Sequence, residues 1–321
     1  MSLLSLAECS GIGPDGDPHI DETNTYAWRF LVEDLTEAVV ELIRRTSTDL
    51  PEDVEQALVK AQEREENGSA AVGALDAILA NISLARRSSI PICQDTGTPI
   101  FYVQHPEGRS TRRLRDQFRA AVVEATKQSY LRPNAVDAIT DKNSGNNLGD
   151  SAFPTIHFEE TDGDELVVEL MLKGGGCENV GAQYSLPNGE LGAGRDLDGV
   201  RKVALDAVQK AQGQGCAPGI LGVAIGGDRG SSFNASKEVL LQKLEDSNPD
   251  QELADLESRM TEEANQMGIG PMGFGGKTTV LGSKITGLHR LPASFFVSVS
   301  YMCWANRHRR MIVQGDSVSY S

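Results

Sequence analysis

Long apolar runs are missing from this chain. No stretch of its 321 residues approaches the ~18–20 that a membrane-spanning helix requires, so no membrane role is expected. Basic residues are outnumbered: 30 lysines and arginines stand against 46 aspartates and glutamates, for a formal net charge of −16. Such a surface repels phosphodiester backbones, which argues against nucleic acid as a partner. An anionic substrate then depends on cations placed locally, because the overall field does not attract it. The opening Met1-Ser2-Leu3-Leu4-Ser5-Leu6 lacks the basic start and longer apolar core of a secretory signal, so a cytoplasmic protein with reduced thiols is expected. Cysteine is sparse and odd in number: Cys9, Cys93, Cys177, Cys216 and Cys303 are widely scattered, a poor disulfide framework. They read as free thiols, metal ligands or a nucleophile, with buried inert thiols the first reading on composition alone.

What is present divides by texture. Across 25–45, Trp28, Leu31, Val32, Leu35, Val39, Leu42 and Ile43 mark one face of a helix. Pro51 suits the first turn of a second helix with Val54, Leu58 and Ala61 facing inward. Val72, Leu75, Leu79 and Ile82 give a third, and Ser110 caps a fourth carrying Leu114, Phe118, Val122 and Ala125. After about residue 150, β-rich runs follow at 155–158, 166–172, 220–225, 278–281 and 295–301, with helices at 197–211 and within 236–267. The expected class is α/β, with α+β the alternative: a helical lobe to about 150, then a mixed sheet with helices and glycine-rich loops. Residues 1–24 and 311–321 are expected as tails around a domain spanning 25–310. The 33 glycines cluster at 174–176, 213–230 and 268–276, which points to a site built largely from backbone.

Most individual motifs have a bland reading that wins. Gly268-Ile269-Gly270-Pro271-Met272-Gly273 fits a dinucleotide fingerprint on paper, but a polar helix precedes it and Pro271 sits inside the turn. Gly276-Lys277-Thr278 lacks the leading glycine of a phosphate loop. Asp137, Asp150 and Asp228 read as turn or cap residues, and His105, His157 and His308 have no context that singles them out. The run Pro91-Ile92-Cys93-Gln94-Asp95-Thr96-Gly97 is different, because a thiol beside an amide and a carboxylate in a polar turn can face a cleft. Cys216 sits after Gly213-Gln214-Gly215 and before Ala217-Pro218-Gly219, and Cys303 ends a β-rich run, so three cysteines at element ends have the opportunity to converge.

These residues resemble the class I (iron–sulfur) fumarate hydratase and L-tartrate dehydratase family, in its alpha subunit or N-terminal catalytic domain. The resemblance rests on the 91–97 run, Asn143-Ser144-Gly145-Asn146-Asn147, Lys173-Gly174-Gly175-Gly176-Cys177-Glu178-Asn179, Gly226-Gly227-Asp228-Arg229-Gly230, Gly270-Pro271-Met272-Gly273 and the stretch from His289 to Trp304. They stand in the family's order and cover roughly residues 25 to 310.

The resemblance implies a [4Fe–4S] cluster held by Cys93, Cys216 and Cys303, with one iron left open as a Lewis acid rather than four thiolates as in an electron carrier. Cys177 falls at a position that in relatives is often serine or alanine, and is expected to be a non-ligand near the pocket. Gln94, Arg132 and the backbone of Gly176 are implied substrate contacts, and Asp95 and His289 are implied to handle the hydroxyl proton. Some relatives carry a second histidine where this chain has Leu291. The implied reaction is reversible hydration of fumarate to L-malate, a step of the tricarboxylic acid cycle. L-tartrate dehydration and mesaconate hydration are the alternatives within the family. The family's base and further carboxylate-binding groups belong to a second module, so a beta subunit or C-terminal domain is the expected partner, in an α2β2 assembly or a homodimer. A non-catalytic iron–sulfur carrier or sensor, and a metal-free scaffold with buried thiols, are the readings from other classes.

Overall fold

The computed structural model describes residues 34–150 and 152–321. The expected tail at 1–24, Cys9, and the helix positions Trp28, Leu31 and Val32 lie outside them.

Helices α1 (Thr36–Thr48), α2 (Glu52–Arg64) and α3 (Ala70–Ser88) come first, followed by β1 (Thr98–Pro106) and α4 (Thr111–Lys127). The inward positions read from periodicity, Val54, Leu58 and Ala61 on α2 and Leu114, Phe118, Val122 and Ala125 on α4, are all buried. Ser110 caps α4 by accepting the Arg113 amide proton, and Pro51 stands at the N-cap of α2. Then come β2 (Thr155–Thr161), β3 (Leu166–Lys173), the single turn α5 (Gly175–Asn179), β4 (Ala182–Ser185), α6 (Leu197–Ala211) and β5 (Gly219–Ile225). The chain closes with α7 (Arg229–Glu238), α8 (Gln251–Gln266), β6 (Val280–Gly287), β7 (Phe296–Met302), β8 (Arg307–Gln314) and β9 (Ser317–Tyr320).

The strands form two sheets, ordered β2-β1-β3-β8-β9 and β4-β7-β5-β6. Among the described residues, β1–β2 and β5–β6 pair in parallel and the other strand pairs are antiparallel. Helices at the N-terminal side and mixed sheets agree with the α/β reading, and β1, from the first 150 residues, joins the first sheet between β2 and β3. Residues 311–321, expected as a tail, belong to the first sheet. They complete β8, where Met311 is fully buried, and form the edge strand β9.

Side-chain alternation along the strands explains the layering. Phe101 and Val103 of β1, with Leu170 and Leu172 of β3, face α1 and α4. Ile100, Tyr102 and Met171 point the other way, into a core shared with α2, α3, Ile220, Met302 and the cysteines Cys177 and Cys303. A third core packs α6 and α8 on Val223, Ile285, Val297 and Val299 of the second sheet. The chain passes from one sheet to the other twice, through α5 and through residues 303–306, and both crossings border the shared core.

Candidate functional site

Cys93 lies in the turn between α3 and β1, a segment held at almost every residue. The Ile92 amide donates to the Ser47 carbonyl, and Asn81 donates to the Ile92 carbonyl. Asp95 accepts the Gly97 amide on Oδ1 at 3.0 Å and the Gly175 amide on Oδ2 at 2.8 Å, which pins the turn to the start of α5. Gly97 has φ +79°, and a Cβ there would meet the Lys173 backbone at 2.8 Å, so no other residue fits. Arg132 donates from Nη1 to the Gln94 carbonyl at 3.1 Å, while its amide donates to Thr96 Oγ1. Gln94 and Arg132 are exposed, and Cys93 and Asp95 are half-buried.

Cys216 follows the 3-10 turn Gln212–Gly215 in the left-handed conformation, φ 55° and ψ 60°. Its carbonyl accepts the Trp304 amide, which brings the Cys216 loop against the crossing that holds Cys303. Gly215 and Gly219 make room for Tyr301, whose ring atoms would lie 2.4 and 2.2 Å from a Cβ at those positions. Gly176 abuts the same turn, with Gln214 O 3.9 Å from where its Cβ would be.

Cys177 and Cys303 are neighbours, the Cys303 amide donating to Cys177 Sγ at 3.3 Å. Hydrogen bonding from Cys303, with Lys173 and Arg307 nearby, lowers the Cys177 thiol pKa, and the same contact together with burial raises that of Cys303. Burial raises the Cys216 pKa, reinforced by Cys177, Cys93 and Asp95. Tyr301 is raised by burial and by the surrounding thiols, and its hydroxyl is buried without a hydrogen-bond partner. Four cysteines, three from separate loops and Cys177 from α5, thus share one neighbourhood. Among the described residues, no three histidine, cysteine or carboxylate side chains are grouped closely enough to hold a single metal ion.

Of the residues singled out in the sequence, Cys93, Gln94, Asp95, Arg132, Gly176, Cys216 and Cys303 come together here. His289 does not. Cys216 precedes β5 and Cys303 follows β7 at one end of the second sheet, where Ile220 pairs with Met302. His289 follows β6 at the other end, its carbonyl accepting the Gly227 amide. Seven residues of β5 separate the two ends by roughly 20 Å. Sequence reasoning missed two buried cations, Lys173 and Arg307, at 2 % and 1 % exposure. Their only signal was adjacency to the Gly174–Gly176 cluster and to Cys303.

The motifs given bland readings behave accordingly. Asp228 is the N-cap of α7 in a capping box, and Asp137 accepts amides at Ile139 and Thr140 as a turn residue. Residues 268–276 lead into β6 instead of following a strand, and Gly276 clears space for Glu65, which accepts the Lys277 and Thr278 amides. A cleft of about 1100 Å³ lies away from the cysteines, between Glu52, Asp53, Glu169, Glu238, His308 and Arg309. Among the described residues no helix is long and apolar enough to cross a membrane.

Comparison with known proteins gives the family. Residues 36–312 match the family model described as fumarate hydratase (Fumerase). A putative class I fumarate hydratase of Geobacillus stearothermophilus is 50 % identical over 279 residues, which are 86 % of this chain and 54 % of that protein. The chain therefore spans about half the length of that relative. A putative L(+)-tartrate dehydratase subunit alpha of Methanocaldococcus jannaschii is 33 % identical, over 85 % of this chain and 95 % of that one. The L(+)-tartrate dehydratase subunit alpha of Escherichia coli O157:H7 is 30 % identical, over 89 % and 92 %. By the family match over most of its length and by these relatives, the chain belongs to the fumarate hydratase (Fumerase) family.

Proposed function

We propose that this chain is the cluster-carrying alpha part of a hydro-lyase that interconverts fumarate and L-malate. The observation that carries the reading is the meeting of Cys93, Cys216 and Cys303, from three separate loops, beside the exposed Gln94 and Arg132. A [4Fe–4S] cube gives separate irons to separate thiolates, which suits thiols that share a neighbourhood without surrounding one ion. The fully buried guanidinium of Arg307 beside them also fits an anionic occupant. When bound, the cluster supplies Lewis-acid chemistry toward the hydroxyl of malate through its open iron.

The chain's own residues bind and orient. Arg132, already held against the Gln94 carbonyl, offers its remaining guanidinium protons to a substrate carboxylate. Gln94 presents an exposed amide next to Cys93, and Gly176 leaves backbone accessible beside the Cys216 turn. Asp95, fixed by two amide donors, keeps its other lone pairs for the hydroxyl proton. In this reading Asp95 takes that proton, because His289 lies at the far end of the sheet. The base and the remaining carboxylate contacts come from a beta subunit or C-terminal domain. That inference rests on one relative about twice as long and on others named as alpha subunits. The same names support tartrate as a second substrate class, with the more similar relative favouring fumarate.

Anaerobic reconstitution with iron and sulfide tests the reading. We expect about four irons per chain in the wild type, loss of the cluster in Cys216→Ser, and hydratase activity only after a beta partner is added. No iron uptake by the wild type would return the cysteines to structural thiols. Parallel assays with fumarate, L-tartrate and mesaconate decide the diacid.

A further inference from the structure

Two cations are buried around Cys177 and Cys303, and they differ in their partners. Lys173 donates to the Tyr301 carbonyl at 2.6 Å and has the Glu178 carboxylate at 3.4 Å, a counter-ion that it shares with Lys237. Arg307, the first residue of β8, is 1 % exposed. Its Nη2 donates to the Asp95 carbonyl at 2.9 Å, but Nε and Nη1 have no hydrogen-bond partner. No carboxylate among the described residues pairs with it. A buried guanidinium with two idle donors and no counter-ion is costly, since several kcal/mol of hydration are lost without replacement. Its position is nonetheless well determined. It follows Cys303 by four residues on the crossing between sheets, and it reaches back to the turn that carries Cys93.

We propose that Arg307 is a positioning residue whose buried charge answers the negative charge of a thiolate-bound iron–sulfur cluster, with Nη2 tied to the Asp95 carbonyl of the Cys93 turn. The inference rests on the cluster reading above. Three thiolates on a [4Fe–4S]2+ core leave a net negative group beside the buried Cys303 and Arg307, and one-electron reduction adds another negative charge. A fixed positive charge beside it holds the cluster in place and raises its reduction potential. Lys173 differs in having a carboxylate beside it, the Glu178 group that it shares with Lys237.

The test compares wild type, Arg307→Gln and Arg307→Lys after anaerobic reconstitution, reading iron per chain and the cluster midpoint by mediated titration with electron paramagnetic resonance. Glutamine keeps a donor for the Asp95 carbonyl and removes the charge, whereas lysine keeps the charge and loses the fork. We expect the glutamine variant to lose iron faster or to show a midpoint moved to lower potential, and the lysine variant to stay near wild type. Equal iron retention and equal midpoints in glutamine and wild type would overturn the role. So would a lysine variant that behaves like glutamine, because the retained charge would then have no effect. Wild-type protein that takes up no iron would refute the cluster reading itself, an outcome visible before any variant is compared.

Discussion

His308 borders the large cleft with its Nε2 closed off from solvent and without a hydrogen-bond partner. Burial lowers its pKa to about 4, Asp53 of α2 opposing the shift and the neighbouring Arg309 adding to it. An unfolded histidine titrates near 6.5, so between the two values the unfolded chain binds a proton that the folded one refuses. The contribution is complete above about pH 6.5 and is lost as the pH falls toward 4, up to roughly 3 kcal/mol. Urea unfolding across that range is expected to give a flatter stability profile in His308→Gln than in wild type. Superimposable slopes would mean that the imidazole is protonated in the folded state.

Glu65 is a link between elements. It follows α2 at 7 % exposure and accepts the amides of Lys277 and Thr278 ahead of β6, joining the helical layer to the glycine-rich 268–276 loop. That loop in turn packs against the Cys216 turn, where the Met272 amide donates to the Ala217 carbonyl. Replacing Glu65 with alanine strands two amides, Thr278 being fully buried, and the expected cost is about 1–3 kcal/mol by urea denaturation. A loss below ~0.5 kcal/mol would mean that water takes over both bonds. The glycines that invite a nucleotide-loop reading thus have an adequate structural reason, with Gly276 leaving room for the Glu65 carboxylate.

At the scale of the whole molecule, the candidate site is where the two sheets meet. Cys93 precedes β1 of the first sheet, Cys216 precedes β5 of the second, and Cys303 lies on the crossing from β7 to β8. A cluster bound by all three would tie both sheets together, and a ligand that binds only the folded state raises its stability. Anaerobic reconstitution should therefore raise the thermal midpoint of the entire cooperative transition, and chelation should reverse the gain. Cys93→Ser is expected to remove most of that gain, because it cuts the tether to the first sheet. A gain unchanged in that variant would place the iron elsewhere.

Local order was readable from the chain alone. The α2 and α4 faces, the Ser110 cap and five of the strands follow from side-chain periods that act over a few residues. The family resemblance brought Cys93, Cys216 and Cys303 forward together, and periodicity had no means to do so. Other features were settled only by tertiary packing. β1 lies among residues that otherwise read as helical and gains its place by pairing with β2 and β3, while β8 and β9 carry arginines and serines that hide their strand character. His289 stands in a motif with Cys303, yet β7 runs the length of the sheet between them. The burial of Arg307 was equally illegible, because a charge goes inside only where distant segments supply, or await, its counterpart.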